Sequence, residues 1–203
     1  MAKAAGLTKQ IRMCAAVRLI HLHHRLDVAI QASVTEHLLV QRRCIFGFGS
    51  GFPSPLFCEE RGLSFDDRYT RLDESLDFIL KCWGGDEIFN WDGDHWQGKG
   101  VVALPKPLSG VVTASDTESI IKMSAERGYT LLSAFLESAE RLKPKADMYK
   151  RYTNAVGISG ARRNITASHI VYVVDSYEEA VEDLRPAVTH EISVQAERGF
   201  LKI

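Results

Sequence analysis

The sequence predicts an α/β fold of parallel strands flanked by helices, with one small hairpin inserted. Apolar runs of strand length alternate with stretches of helical period, which is the pattern of βα units. The stretch from Glu87 to Pro107 breaks that alternation around an Asp92-Gly93 turn signal. No Ser/Gly-rich linker and no fixed-period repeat divides the chain, so residues 1–203 read as a single domain.

The elements follow in order. Ile11 to Leu22 is a strand-like apolar run. Leu26 to about Val40 reads as a helix, with Leu26, Ile30, Val34 and Leu38 on one stripe. Cys44-Ile45-Phe46-Gly47-Phe48-Gly49 is a short buried strand that runs into Gly49-Ser50-Gly51 and a loop with Pro53 and Pro55. Asp66 to Trp83 is a helix, because Tyr69, Leu72, Leu76, Ile79, Leu80 and Trp83 recur at helical spacing and Gly84-Gly85 ends it. Ile88-Phe89-Asn90-Trp91 and His95-Trp96-Gln97 form the two arms of the hairpin, and Leu104-Pro105-Lys106-Pro107 is an extended exit. The rhythm then resumes with a strand at Val111 to Ala114, a helix at Thr117 to Arg127 and a strand at Tyr129 to Ser133. A helix from Ser138 to about Ala155, a strand from Ile165 to Val174 and a helix from Tyr177 to Arg198 complete it. About five parallel strands result, against the eight of a closed barrel, so the sheet is either open or part of a barrel.

Composition narrows the function classes. The chain carries 25 Lys+Arg against 26 Asp+Glu and is 45% hydrophobic, which supports a substantial core and excludes intrinsic disorder. Its net charge of −1 supplies no global attraction to nucleic acid or acidic membranes, and its apolar runs are too short to span a bilayer. The charges before Asp27 are all basic (Lys3, Lys9, Arg12, Arg18, Arg25), as in a transit peptide, but the apolar run from Ile11 to Ile20 reads better as a buried strand. Cys14, Cys44, Cys58 and Cys82 show no CxxC spacing and no secretory segment precedes them, which predicts reduced thiols and a cytoplasmic location.

Three groups carry chemistry. Ala114-Ser115-Asp116-Thr117-Glu118-Ser119 lies where a strand gives way to a helix. Ser, Thr and Asp are ordinary N-caps there, and a helix start is equally a phosphate site if a second anion-binding element stands nearby. Gly49-Ser50-Gly51 is a candidate for that element, and Arg68 and Arg71 are possible phosphate ligands. His21 and His23 share a face if their segment is a strand and could hold a divalent metal with His169 or Asp175; packing at a strand end is the plainer reading. Phe89, Trp91 and Trp96 either line an apolar pocket or cover the sheet.

Leu19-Ile20-His21-Leu22-His23-His24, Ile45 to Gly51, Phe65 to Glu74, Trp91-Asp92-Gly93-Asp94-His95-Trp96, Leu104 to Pro107, Ala114 to Ser119 and Ala125-Glu126-Arg127-Gly128-Tyr129 follow one another in an order and spacing that resembles the bacterial luciferase-like family of flavin-dependent monooxygenases. The resemblance implies an incomplete TIM (β/α)8-type barrel that lacks N-terminal and C-terminal units. It implies FMN as cofactor, supplied reduced by a separate flavin reductase, and reaction with O2 to oxygenate a small apolar organic substrate. On the matched positions, Gly49, Ser50 and Phe52 would lie along the flavin or its ribityl chain, and Ser115, Asp116 and Ser119 would hold the phosphate, with Arg68 as a further partner. No catalytic residue is assigned, because the family's first units have no counterpart here. The family's usual His-Pro-x-Arg-x-Ala-Glu reads His24-Arg25-Leu26-Asp27-Val28-Ala29-Ile30, and its Ser-x-Gly-Arg reads Val40-Gln41-Arg42-Arg43. Two other readings stand beside this one: a truncated, non-catalytic flavin-binding or interaction protein, and a metal-dependent hydrolase using His21 and His23. Open sheet edges further predict a homo-oligomer.

Overall fold

The computed structural model describes residues 2–37, 43–51, 55–107, 110–114, 117–133, 137–158, 165–168 and 171–197. Its strands are β1 (Met13–Cys14), β2 (Cys44–Gly49), β3 (Phe89–Asp92), β4 (Gln97–Val101), β5 (Val111–Ala114), β6 (Thr130–Leu132) and β7 (Ile165–Thr166). Its helices are α1 (Ala2–Leu7), α2 (Arg25–Thr35), α3 (Pro55–Glu59), α4 (Arg68–Gly84), α5 (Glu118–Glu126), α6 (Ala139–Ala155) and α7 (Tyr177–Glu197). The chain divides into two compact units, Met1–Ser168 and His169–Ile203.

In the first unit, β2 is buried along nearly its whole length, as an apolar strand covered on both faces must be. β1 and β5 flank it, and the parallel order β1-β2-β5-β6-β7 makes a curled half-barrel with helices outside. The incomplete barrel is therefore present as expected. Phe46 and Phe48 of β2 pack on Trp83 of α4 at ring-centroid distances of 5.3 and 6.2 Å, and the Trp83 indole N–H donates to Ala29 O of α2 at 3.1 Å. These contacts join strand and two helices in one core with Leu72, Leu76, Phe78 and Ile79. Each such side chain contributes roughly 1.5–3 kcal/mol on burial. A second cluster of Ile121, Ala125, Leu131 and Tyr149 sits beneath α6, where the Tyr149 hydroxyl donates to Tyr129 O at 2.6 Å. α5 is fastened to β5 by buried hydroxyls, Thr113 Oγ1 and Ser124 Oγ lying 2.5 Å apart.

The excursion between α4 and β5 is the expected hairpin, β3 and β4 pairing antiparallel and turning through Gly93, whose N–H donates to Trp96 O at 3.0 Å. Phe89, Trp91 and Trp96 all pack on Phe78 of α4, at 5.9, 5.4 and 4.4 Å between ring centroids. The aromatic cluster thus covers α4. The hairpin's exit places Lys106 at the C-terminal end of α4, where its ammonium donates to Cys82 O and Gly85 O, the position at which a cation complements the helix dipole.

Three expectations need correction. The run Ile11–Leu22 is not one strand: β1 is two residues long, Arg18 makes a single bridge to Phe48, and Ile20–Leu22 forms a 3-10 turn. A short apolar run does not disclose its backbone geometry. On α2 the fully buried stripe is Arg25, Val28, Ala29, Ala32 and Ser33, with Leu26 and Ile30 only partly covered; Leu38 and Val40 lie outside the described residues. The strand Ile165–Val174 shrinks to Ile165–Thr166. Val171 and Val173 are 79% and 86% exposed, so β-branched residues there lack the pleated neighbours that β-propensity reflects. The short helices α1 and α3 were not anticipated.

The second unit holds the extended residues 171–174 and α7. Ser176 Oγ accepts from Glu179 N–H at 3.1 Å at the start of α7, and Tyr172 Oη donates to Asp183 at 2.8 Å. Among the described residues, no helix is long and apolar enough to cross a membrane, and the four cysteines are unpaired. Burial pushes the thiols of Cys44 and Cys82 up to about 11, which makes them packing residues.

Candidate active site

Loops at the C-terminal ends of parallel strands converge on one face of a βα fold, the face that carries chemistry in barrels. Gly49, the last residue of β2, is paired with Ala114, the last of β5. Ser50 therefore follows a strand end that neighbours Ala114, the last described residue before Thr117. A Cβ on Gly49 would meet Val17 Cγ2 at 2.7 Å and Ala114 O at 2.9 Å, so glycine here permits close packing of neighbouring strands. Ser50 is buried. Gly51 has φ +59°, a left-handed conformation that favours glycine.

After β5, α5 begins without a side-chain capping bond from Thr117. The first-turn N–H groups of a helix have no intrahelical partner and attract anions. Ser119 is exposed in that first turn. Glu118, the acid beside it, accepts a hydrogen bond from Tyr152 Oη of α6 at 2.5 Å. Phe52, Ser115 and Asp116 lie outside the described residues. Of the sequence-predicted residues, Gly49 is paired with Ala114, the last described residue before the segment that leads to α5 and Ser119.

Arg68 is the first residue of α4. Its guanidinium donates to Phe65 O at 2.8 Å and Tyr69 Oη at 3.1 Å and lies over both rings, 3.9 and 4.1 Å from their centroids. These contacts hold Arg68 against its own loop.

On the other flank of β2 the chain leaves β1 and enters the Ile20–Leu22 turn, which packs on α4. His21 is 3% exposed and His23 is exposed, so the two do not share a face and the strand-based metal pair is not formed. Both ring nitrogens of His21 are buried without a hydrogen-bond partner. Burial, then the nearby Arg68, Arg71, His23 and Arg25, push its imidazole down to about 4. Arg25 is 6% exposed; its Nε donates to Ser75 Oγ at 3.1 Å while Nη2 has no partner. Ser75 Oγ donates in turn to Arg71 O at 2.5 Å, and Arg71 Nε is also buried and unpartnered. Glu74, whose charge acts on Arg25, accepts from Trp91 Nε1 at 3.2 Å and from His95 N at 2.8 Å. The result is a buried cationic group with donors left over. Among the described residues, no three His, Cys, Asp or Glu side chains are grouped to hold a metal.

The sequence reading missed Arg25. The available signal was its position three and four residues before Val28 and Ala29, which places a guanidinium on the buried stripe of α2.

Comparison with known proteins follows the same lines. A luciferase-like monooxygenase family model matches residues 1–202. Among solved structures, the chain is similar to the monooxygenase RslO1 from Streptomyces bottropensis, with TM-score 0.85 and 21% identity over 97% of this chain and 61% of that one. It is similar to the oxygenating constituent of 3,6-diketocamphane monooxygenase from Pseudomonas putida, a type II Baeyer-Villiger monooxygenase in complex with FMN, with TM-score 0.77 and 20% identity over 98% and 60% of the two chains. An F420-dependent secondary alcohol dehydrogenase in complex with an F420-acetone adduct matches with TM-score 0.70 and 17% identity over 90% and 56%. At these identities the structures share the fold, and this chain spans about three fifths of the length of the first two. No curated protein matches the chain.

Proposed function

The chain belongs to the luciferase-like monooxygenase family, and on that premise we propose that it is an FMN-dependent monooxygenase that uses reduced flavin and O2 to oxygenate a small organic substrate. The observation that supports the reading is the pairing of Gly49 with Ala114, which puts buried Ser50 just past one strand end and the segment leading to α5 just past its neighbour. Bound reduced flavin supplies the electrons for oxygen activation. The chain's part is to hold it. The first-turn N–H groups of α5 with Ser119, joined by Ser115 and Asp116 from the same loop, take the phosphate. Gly49, Ser50 and Phe52 lie along the ribityl chain and ring, and burial of this strand end limits water at the reacting centre. In this reading the protein works in the cytoplasm with a separate flavin reductase and assembles as a homo-oligomer.

Titration of the purified protein with FMN, reduced FMN and riboflavin tests the reading. Saturable FMN binding that weakens in Ser119→Ala and Ser115→Ala, with riboflavin affected less, is the expected result. Absence of saturable binding overturns it. Binding without substrate-dependent O2 consumption, with a reductase present, identifies instead a flavin-binding protein that does not catalyse oxygenation.

A further inference from the structure

We infer that His21, Arg25 and Arg71 form an oxyanion subsite, separate from the phosphate end of the flavin, which takes a carboxylate or sulfonate group carried by the organic substrate. The inference rests on the flavin reading for its reaction, but its geometry is independent of it. Three donor-bearing side chains from two elements and the turn between β1 and α2 hold buried, unpartnered polar atoms: His21 Nδ1 and Nε2, Arg25 Nη2 and Arg71 Nε. Buried donors without partners are rare because each costs about 1–3 kcal/mol, and an anion accepting from them removes that cost. The sign of the environment agrees. His21 feels Arg68, Arg71, His23 and Arg25, all of which oppose a further positive charge and favour a negative one. Glu74, the carboxylate acting on Arg25, is already held by Trp91 and His95. A guanidinium also matches the planar, two-oxygen edge of a carboxylate or the face of a sulfonate.

Topology separates this subsite from the flavin phosphate. β1 and β5 lie on opposite sides of β2, about 10 Å apart at the spacing of neighbouring strands, and the Ile20–Leu22 turn follows the first while α5 follows the second. Both follow the C-terminal ends of strands that flank β2, whose last residue is Gly49. A substrate anchored at one flank and a flavin anchored at the other therefore meet over the end of β2.

The test titrates the full chain with sulfate and with butanesulfonate at constant ionic strength, reading thermal stabilisation and calorimetric affinity, for wild type, Arg71→Met and His21→Gln. The FMN-to-riboflavin affinity ratio is measured on the same proteins. Saturable sulfate and butanesulfonate binding that weakens at least tenfold in each variant, with the FMN-to-riboflavin ratio unchanged, is expected. Equal anion affinity in wild type and both variants overturns the subsite. A ratio that falls to one in Arg71→Met overturns the assignment to substrate and moves the flavin phosphate to this cluster. Anion binding that depends on Arg71 in a protein that binds no flavin keeps the subsite and removes only the flavin reading. His21→Gln retains a polar side chain of similar size, so loss of the fold in Arg71→Met leaves the comparison intact.

Discussion

His21 is the residue whose environment has the clearest thermodynamic consequence. Its imidazole is held down to about 4 in the folded chain, against about 6.5 when unfolded. Between those values the unfolded chain binds more protons, so stability is complete above pH 6.5 and falls as pH drops toward 4. The full effect is on the order of 3 kcal/mol. Urea unfolding at pH 7 and pH 4.5 should show this loss in wild type, and His21→Leu should lose markedly less over the same interval. Ser75 offers a second residue-scale prediction. It accepts from Arg25 Nε and donates to Arg71 O, so Ser75→Ala leaves a buried guanidinium N–H unmet and costs about 1–3 kcal/mol, measurable as a lower urea midpoint with an unchanged slope.

At the scale of elements, the hairpin and α4 depend on each other. Phe78 receives three aromatic rings, two from β3 and one from the turn before β4, so Phe78→Ala should cost about 3–5 kcal/mol and shift the fluorescence of Trp91 and Trp96 to the red. Most of this architecture was legible in the sequence. β2 and the hairpin are bounded by glycines and an Asp-Gly turn, and α4 by its apolar spacing and Gly84-Gly85, all local signals that tertiary packing reinforces. The failures have equally local causes. The apolar run Ile11–Leu22 carries no mark of the 3-10 turn that lifts His21 out of strand alternation. On α2, small residues such as Ala29, Ala32 and Ser33 occupy the buried stripe, so apolar bulk alone does not mark it and the leucine and isoleucine positions are only partly covered. For the site, the pairing of Gly49 with Ala114 follows from the parallel sheet that βα rhythm anticipates. The meeting of Arg25 with Arg71 does not, because it joins residues nearly fifty positions apart through Ser75.

For the whole molecule, the two core clusters are built from residues no later than Ile165, and α7 is largely exposed. Removal of residues 169–203 should therefore leave a cooperatively folded unit whose Tm lies within about 5 °C of the full chain, a shift that corresponds to roughly 1–2 kcal/mol. Calorimetry on the shortened chain checks this; a broad, non-cooperative transition would show that the core depends on the removed segment. The excursion between α4 and β5 has a different reach. At its tip, His95 N–H and Trp91 Nε1–H are held by Glu74, and His95 Nε2 lies 2.8 Å from Thr70 Oγ1. At its base, Lys106 grips the carbonyls at the far end of the same helix. A segment outside the half-barrel thus clamps α4 at both ends like a splint on a rod. The position of Arg71 in the first turn of α4 is thus tied to the length of the hairpin, and changing that length would retune the buried cationic group from a distance.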